Sequence, residues 1–146
     1  MIEDSEGGEK FMTKEQLVAM AKDAMQYSYS PYSGYKVGAA LLCKGGSVYT
    51  GCNIENAGYS ATNCAERTAF FKAVSEGKKN FTAIAICGGE DGVIDGVFPP
   101  CGVCRQVMRE FCGDEFLIYL ATADGIETYT LKELLPVSFR PETIQK

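Results

Sequence analysis

The sequence predicts an α/β fold, a three-layer α-β-α sandwich in which a five-stranded mixed sheet is flanked by helices on both faces. Three observations carry this. Helical and strand-like segments follow one another in the order α-ββ-α-β-α-ββ-α. One run, "FTAIAIC" (81–87), is apolar throughout, as a strand buried on both faces is. The chain has 146 residues, 46% of them hydrophobic, enough for one core and too few for two.

Each element has its own signal. "MIEDSEGGEK" (1–10) is acidic and Gly-containing and reads as a flexible tail, which leaves 11–146 as a single domain. "TKEQLVAMAKDAMQYS" (13–28) opens with a capping box, Thr13 with Gln16, and repeats apolar residues at helical spacing through Leu17, Met20, Ala21 and Ala24. "SPYSGY" stops it. "KVGAALLC" and "SVYTGC", joined by Lys-Gly-Gly, form a hairpin, and "NIENAGYSATN" (53–63) is a polar loop. A second helix spans about Cys64 to Glu76 with Gly77 at its C-terminal cap. After the apolar strand, "GGEDGVIDGVFPP" reads as loop. Pro100 suits a helix start, and "CGVCRQVMREFC" runs as a third helix to Gly113. "FLIYL" and "IETYT" are the last strands, and "LKELL" is a short helix ended by Pro136.

Composition narrows the function. The net charge is −5, and no basic stretch longer than "GKK" (77–79) is present, so the footprint that neutralises phosphates is missing and nucleic acid is not the expected partner. No apolar run reaches the roughly 18 residues of a membrane span and no basic-then-apolar leader opens the chain, so a cytoplasmic location is expected. Seven cysteines and no histidine do not form a secreted disulfide framework. Cys43, Cys52, Cys87 and Cys112 fall in or beside apolar runs and read as small buried hydrophobes. The other three stand among charged and turn residues.

Cys101 and Cys104 are three apart at a helix start, behind two prolines. The pair suits a metal or a redox dithiol. A closed four-cysteine zinc site needs a second C-x-x-C, which the chain lacks. Three ligands remain possible, with Cys64 as the third and the fourth position open to water, the pattern of catalytic rather than structural zinc. Glu66, two residues beyond Cys64, then gains a purpose, because a carboxylate beside a metal-acidified water can accept its proton and return it. Its plain alternative is a solvated glutamate favoured at a helix N-terminus. Arg67 is a candidate hydrogen-bond donor to the thiolate sulfurs, offsetting their charge, or otherwise a surface arginine.

The segments "NIENAGYSATNCAERTA" and "PPCGVCRQV" resemble the small homotetrameric cytidine deaminases that hold zinc with three cysteines, a ligand set known among zinc deaminases, and the likeness spans about 13–139. The resemblance implies one zinc ion per chain on Cys64, Cys101 and Cys104, with Glu66 as acid and base. It implies deamination of cytidine and deoxycytidine to uridine and deoxyuridine by a zinc-activated hydroxide, with release of ammonia, in pyrimidine salvage. Asn53 and Glu55 match its ribose contacts and Ala65 its backbone contact to the base. Tyr35 stands in "PYSGY" where the family has a phenylalanine stacking on the base, and Phe139 in "ELLPVSF" matches the ring that enters a neighbouring subunit's site. Without the family, Tyr35 and Phe139 are core or interface rings. The implied partners are a small nucleoside and three further copies of the chain, with neither nucleic acid nor membrane. A deaminase of RNA or DNA bases shares the chemistry, but that class commonly places histidine where Cys64 stands.

Overall fold

The computed structural model describes residues 2–3 and 11–145. Strand β1 (Ile2–Glu3) pairs antiparallel with β2 (Phe11–Met12); the rest of the acidic tail expected over 1–10 lies outside the described residues. Helix α1 (Lys14–Met25) starts at Thr13, whose hydroxyl accepts from the Gln16 amide while the Gln16 side chain accepts from the Thr13 amide, the expected reciprocal cap.

Strands β3 (Tyr35–Cys43) and β4 (Val48–Cys52) form the hairpin. Helix α2 covers Ala65–Ser75, followed by β5 (Phe81–Glu90), α3 (Gly102–Phe111), β6 (Leu117–Ala121) and β7 (Ile126–Thr130). The sheet runs β4-β3-β5-β6-β7, with β5 and β6 parallel and the other neighbours antiparallel, so it is mixed as the sequence predicts. Alternate residues of β3 divide the core. Ala40 and Leu42 pack with Leu17, Val18 and Ala21 of α1, while Val37, Ala39 and Leu41 face the side that holds Ala69, Phe70 and Met108 of α2 and α3. That is the three-layer sandwich.

The expected loop after residue 87 is corrected. β5 continues through Gly88, Gly89 and Glu90, which pair with Val37, Lys36 and Tyr35. These glycines serve close approach, not a turn: a Cβ on Gly88 would lie 3.0 Å from the Phe98 ring, and one on Gly89 1.7 Å from the Val93 carbonyl oxygen. The loop read at 53–63 contains a 3-10 turn at Tyr59–Ala61, and two short helices follow β7, α4 (Leu131–Leu134) as expected and α5 (Pro141–Ile144), which the sequence did not signal. The third helix is shorter than expected, with Cys101 as its N-cap and Cys112 already extended.

Two further glycines fix how close the helices lie. A Cβ at Gly38 would sit 2.0 Å from the Ala21 carbonyl oxygen, and one at Gly51 2.5 Å from that of Ala65. α1 and α2 therefore rest directly on strand backbone. None of the described helices is long and apolar enough to cross a membrane.

Candidate metal centre and active-site cavity

Cys64 and Cys101 are the N-cap residues of α2 and α3, and neither makes the side-chain cap bond a serine or aspartate would. Their sulfurs are thus available, at the ends of two helices whose free amides favour negative charge. Cys104, one turn into α3, is 1% exposed. The three sulfurs lie within 4.8 Å of one another, and Cys64 Sγ is 3.8 Å from Cys101 Sγ. Tetrahedral ligands about 2.3 Å from zinc are separated by about 3.8 Å. The donor set and its spacing fit a zinc ion with three protein ligands.

The protons on these thiols are unequally shared. A hydrogen bond from Cys104, followed by one from Arg67, draws the Cys64 pKa down to about 5 against the effect of burial. Cys104, the donor in that bond and itself buried, is pushed up. Arg67 Nη2 donates to Cys64 Sγ at 3.2 Å, and its Nε is buried with no partner among the described residues. The guanidinium thus faces the Cys64 sulfur. The remaining cysteines are free as well. Burial pushes Cys87 and Cys112 up to about 11 and about 12, which keeps them as inert thiols; Cys52 is half-buried rather than buried.

Glu66 is 4% exposed, so it is not a solvated helix-end glutamate. Burial raises its pKa to about 7, and the neighbouring Cys64 adds to the rise. It borders a cavity of about 200 Å³ together with Tyr35, Asn53, Glu55, Cys64, Ala65, Phe98 and Cys101. Ala65 opens α2, so its N–H has no acceptor within the helix.

Asn53 and Glu55 stand away from the sulfurs in chain and chemistry, and both are bound by their own chain. Asn53, 8% exposed, accepts from the Ser28 hydroxyl and, at 3.0 Å, from the Val37 amide, and it donates to the Tyr35 carbonyl at 2.8 Å. One N–H of its amide remains. Glu55 accepts from the Tyr32 amide at 2.9 Å, the Ser33 amide at 3.1 Å and the Ser33 hydroxyl. These bonds, the hydroxyl's foremost, hold its pKa below the usual carboxylate range.

The structure thus brings together Tyr35, Asn53, Glu55, Cys64, Ala65, Glu66, Arg67, Cys101 and Cys104. Phe139 is elsewhere: 58% exposed, in the segment after α4, and not on this cavity's wall. The wall contains a ring that sequence reasoning missed, Phe98, 6.2 Å from the Tyr35 ring centroid to centroid. Its signal was present but unreadable, because only the fold shows that Gly88 clears the space against which the ring lies. The Ser33 and Tyr32 clamp on Glu55 was missed for the same reason.

Three clustered cysteine sulfurs that fit one metal ion, beside a buried carboxylate and opening onto a cavity with a few polar groups on its wall, suit a class: hydrolases that activate water at one metal ion. Comparison with known proteins specifies it. Residues 12–120 match the cytidine and deoxycytidylate deaminase zinc-binding region. The chain is 49% identical over 134 residues to the cytidine deaminase of Sporosarcina psychrophila, covering 91% of this chain and 96% of that one. It is 48% identical over 132 residues to that of Halalkalibacterium halodurans, covering 90% and 97%. The crystal structure of cytidine deaminase from Burkholderia pseudomallei superposes with a TM-score of 0.81 at 42% identity, over 88% of this chain and all of that one; that from Mycobacterium tuberculosis gives 0.75 at 37%, over 88% and 98%. The chain belongs to the cytidine and deoxycytidylate deaminase family. The cluster of Cys64, Cys101 and Cys104 fits a three-cysteine zinc site, and with the family's zinc-binding region it supports one zinc ion per chain.

Proposed function

We propose that this chain hydrolyses cytidine and deoxycytidine to uridine and deoxyuridine with release of ammonia, serving pyrimidine salvage in the cytoplasm. The observation that carries the reading is Glu66, a buried carboxylate next to three sulfurs and bordering a cavity whose other polar groups suit a sugar. When bound to Cys64, Cys101 and Cys104, zinc supplies a Lewis acid able to bring the pKa of water to roughly 7.

The chain's residues do the rest. Water adds at C4 of the base, the C4–N bond breaks, and Glu66 moves both of the water's protons: it accepts the first and delivers it to N3 of the ring, then accepts the second from the new C4 hydroxyl and delivers it to the departing amine, which leaves as ammonia. A pKa raised to about 7 suits a group that must both accept and give a proton near neutrality. The free N–H of Ala65, at the start of α2, takes the pyrimidine carbonyl. Asn53, with its one remaining N–H, and Glu55, already oriented by residues 32–33, take the ribose hydroxyls. The Tyr35 ring, with Phe98 beside it, is the apolar surface for the base. Arg67 offsets the sulfur charge.

The assembly belongs to the same reading. A cavity of about 200 Å³ is smaller than the roughly 300–1,000 Å³ of typical ligand clefts, and in this reading a neighbouring chain supplies the rest of the wall. Phe139, exposed on its own chain, is the residue to close a neighbour's site in a homotetramer. The substrate test is an absorbance assay on cytidine, deoxycytidine, cytosine, CMP and a cytosine-containing single-stranded oligonucleotide. Turnover of both nucleosides is expected, and activity confined to the oligonucleotide would refute the reading. For the assembly, mixing inactive Glu66→Ala chains with impaired Phe139→Ala chains should regenerate some intact sites. Absence of complementation, or a monomer on sedimentation, would show that each chain builds its site alone.

A further inference from the structure

The helix that carries two zinc ligands also grips the chain's C-terminal segment. Arg105 Nε donates to the Pro100 carbonyl at 2.8 Å, immediately before Cys101, while its Nη1 donates to the Leu134 carbonyl at 2.6 Å. One guanidinium therefore ties the metal loop to the end of α4. A turn further on, the buried Arg109 donates to the Leu135 carbonyl at 3.4 Å and pairs with Asp114 at 2.9 Å. Between them, Gln106 Nε2 donates to the carbonyl of Phe139 at 2.8 Å, and Arg140 closes on Asp114 at 3.1 Å.

Residues 135–140 belong to no helix or strand, so side chains of α3 supply the anchors that secondary structure does not. Inside this segment Val137 has φ 48° and a fully exposed side chain. A β-branched residue resists that backbone region and keeps it only where the flanking chain is fixed. Arg105 and Arg109 fix the side before it, Gln106 and Arg140 the side after it.

We infer that Arg105 and Gln106 are positioning residues for the deamination, fastening residues 134–140 to the metal loop so that Phe139 is presented in one place. The inference rests on the reading of Phe139 as a ring lent to a neighbouring copy's site. The loop that bears Cys101 and the arm that bears Phe139 then form one unit, because Arg105 holds both.

The test uses the zinc-loaded full chain with four substitutions: Gln106→Glu, which keeps the shape but removes the donor, Arg105→Gln, Phe139→Ala, and Gln106→Glu combined with Phe139→Ala. Steady-state kinetics on cytidine and the rate of zinc release to a chromophoric chelator are measured. Gln106→Glu should raise KM about threefold to tenfold, the size of one net hydrogen bond, with kcat and zinc release little changed. It should add nothing on the Phe139→Ala background, since a residue acting through another shows no separate effect. Arg105→Gln should raise KM and also speed zinc release. A KM unmoved by Gln106→Glu while Phe139→Ala raises it would overturn the inference and leave the Phe139 reading standing, and fully additive effects would overturn it too. A harmless Phe139→Ala would instead remove the Phe139 reading, and the positioning role with it.

Discussion

The two ends of the cavity are built differently. At the metal end the working groups sit on helix starts: Cys64 and Cys101 cap α2 and α3, and Glu66 and Cys104 are nearly inaccessible. Their chemistry comes from burial and helix ends. At the other end, the sugar end of the proposed function, the polar groups sit in a loop, and Glu55 is set by hydrogen bonds from Tyr32 and Ser33. Burial drives the Glu66 pKa up to about 7, while hydrogen bonds drive that of Glu55 down. In the proposed function this suits the two carboxylates of one cavity to different work, the first to move protons and the second to stay ionised and accept bonds.

Substitutions at the two ends should separate along the same line. The largest effect is expected for Cys64→Ala, which should lose zinc and more than about 10³-fold in turnover, since the metal supplies several kcal/mol of charge stabilisation. Metal analysis beside kinetics checks it, and an active zinc-free variant would end the metal-based account. Glu66→Gln should retain zinc and fold but lower kcat by at least about 10²-fold. A near-normal kcat would mean that another group carries the proton.

The same substitution has a pH signature in the zinc-free protein. The folded pKa of Glu66 lies above its ordinary 4.5, so the stability it contributes is full below about pH 4.5 and is lost as pH rises through about 7. Denaturant unfolding should find Glu66→Gln close to the parent at pH 4.5 and more stable by up to about 3 kcal/mol at pH 8. A difference independent of pH would contradict burial as the cause.

At the sugar end the effects should be smaller and should appear in KM. Glu55→Gln should raise KM about tenfold with kcat within about threefold, the size of a lost charge-assisted bond. A drop confined to kcat would erase the contrast between the two ends. Smallest of all, Tyr35→Phe should change KM by less than about twofold, because the ring supplies the surface and Tyr35 is 44% exposed. A large change would assign the hydroxyl a bond to the substrate.

The metal end was legible because its chemistry needs residue types that seldom stand together: Cys64 with Glu66 and Arg67, and Cys101 with Cys104 behind two prolines. The helices were legible where a cap announced them, as Thr13 and Gln16 do for α1. The sugar end was readable only through family resemblance, since Ser33 reaches Glu55 across 22 positions and Ser28 reaches Asn53 across 25. Gly88 and Gly89 misled for a physical reason. A glycine that makes a turn and one that clears space for Phe98 or Val93 are the same letter, and only packing tells them apart.

Gly51 carries this furthest. It lies on β4, contributes no donor to the metal, and borders none of the substrate-contacting residues' cavity. Yet a methyl group there would press on the Ala65 carbonyl at 2.5 Å and the Ala69 amide at 2.7 Å, lifting the start of α2 off the sheet. The start of α2 is where Cys64 and Glu66 are held, so the missing side chain at 51 lets Cys64 come within 3.8 Å, sulfur to sulfur, of Cys101. A conservative Gly51→Ala is, in its consequences, a shift of the cysteine cluster made from the far side of a helix.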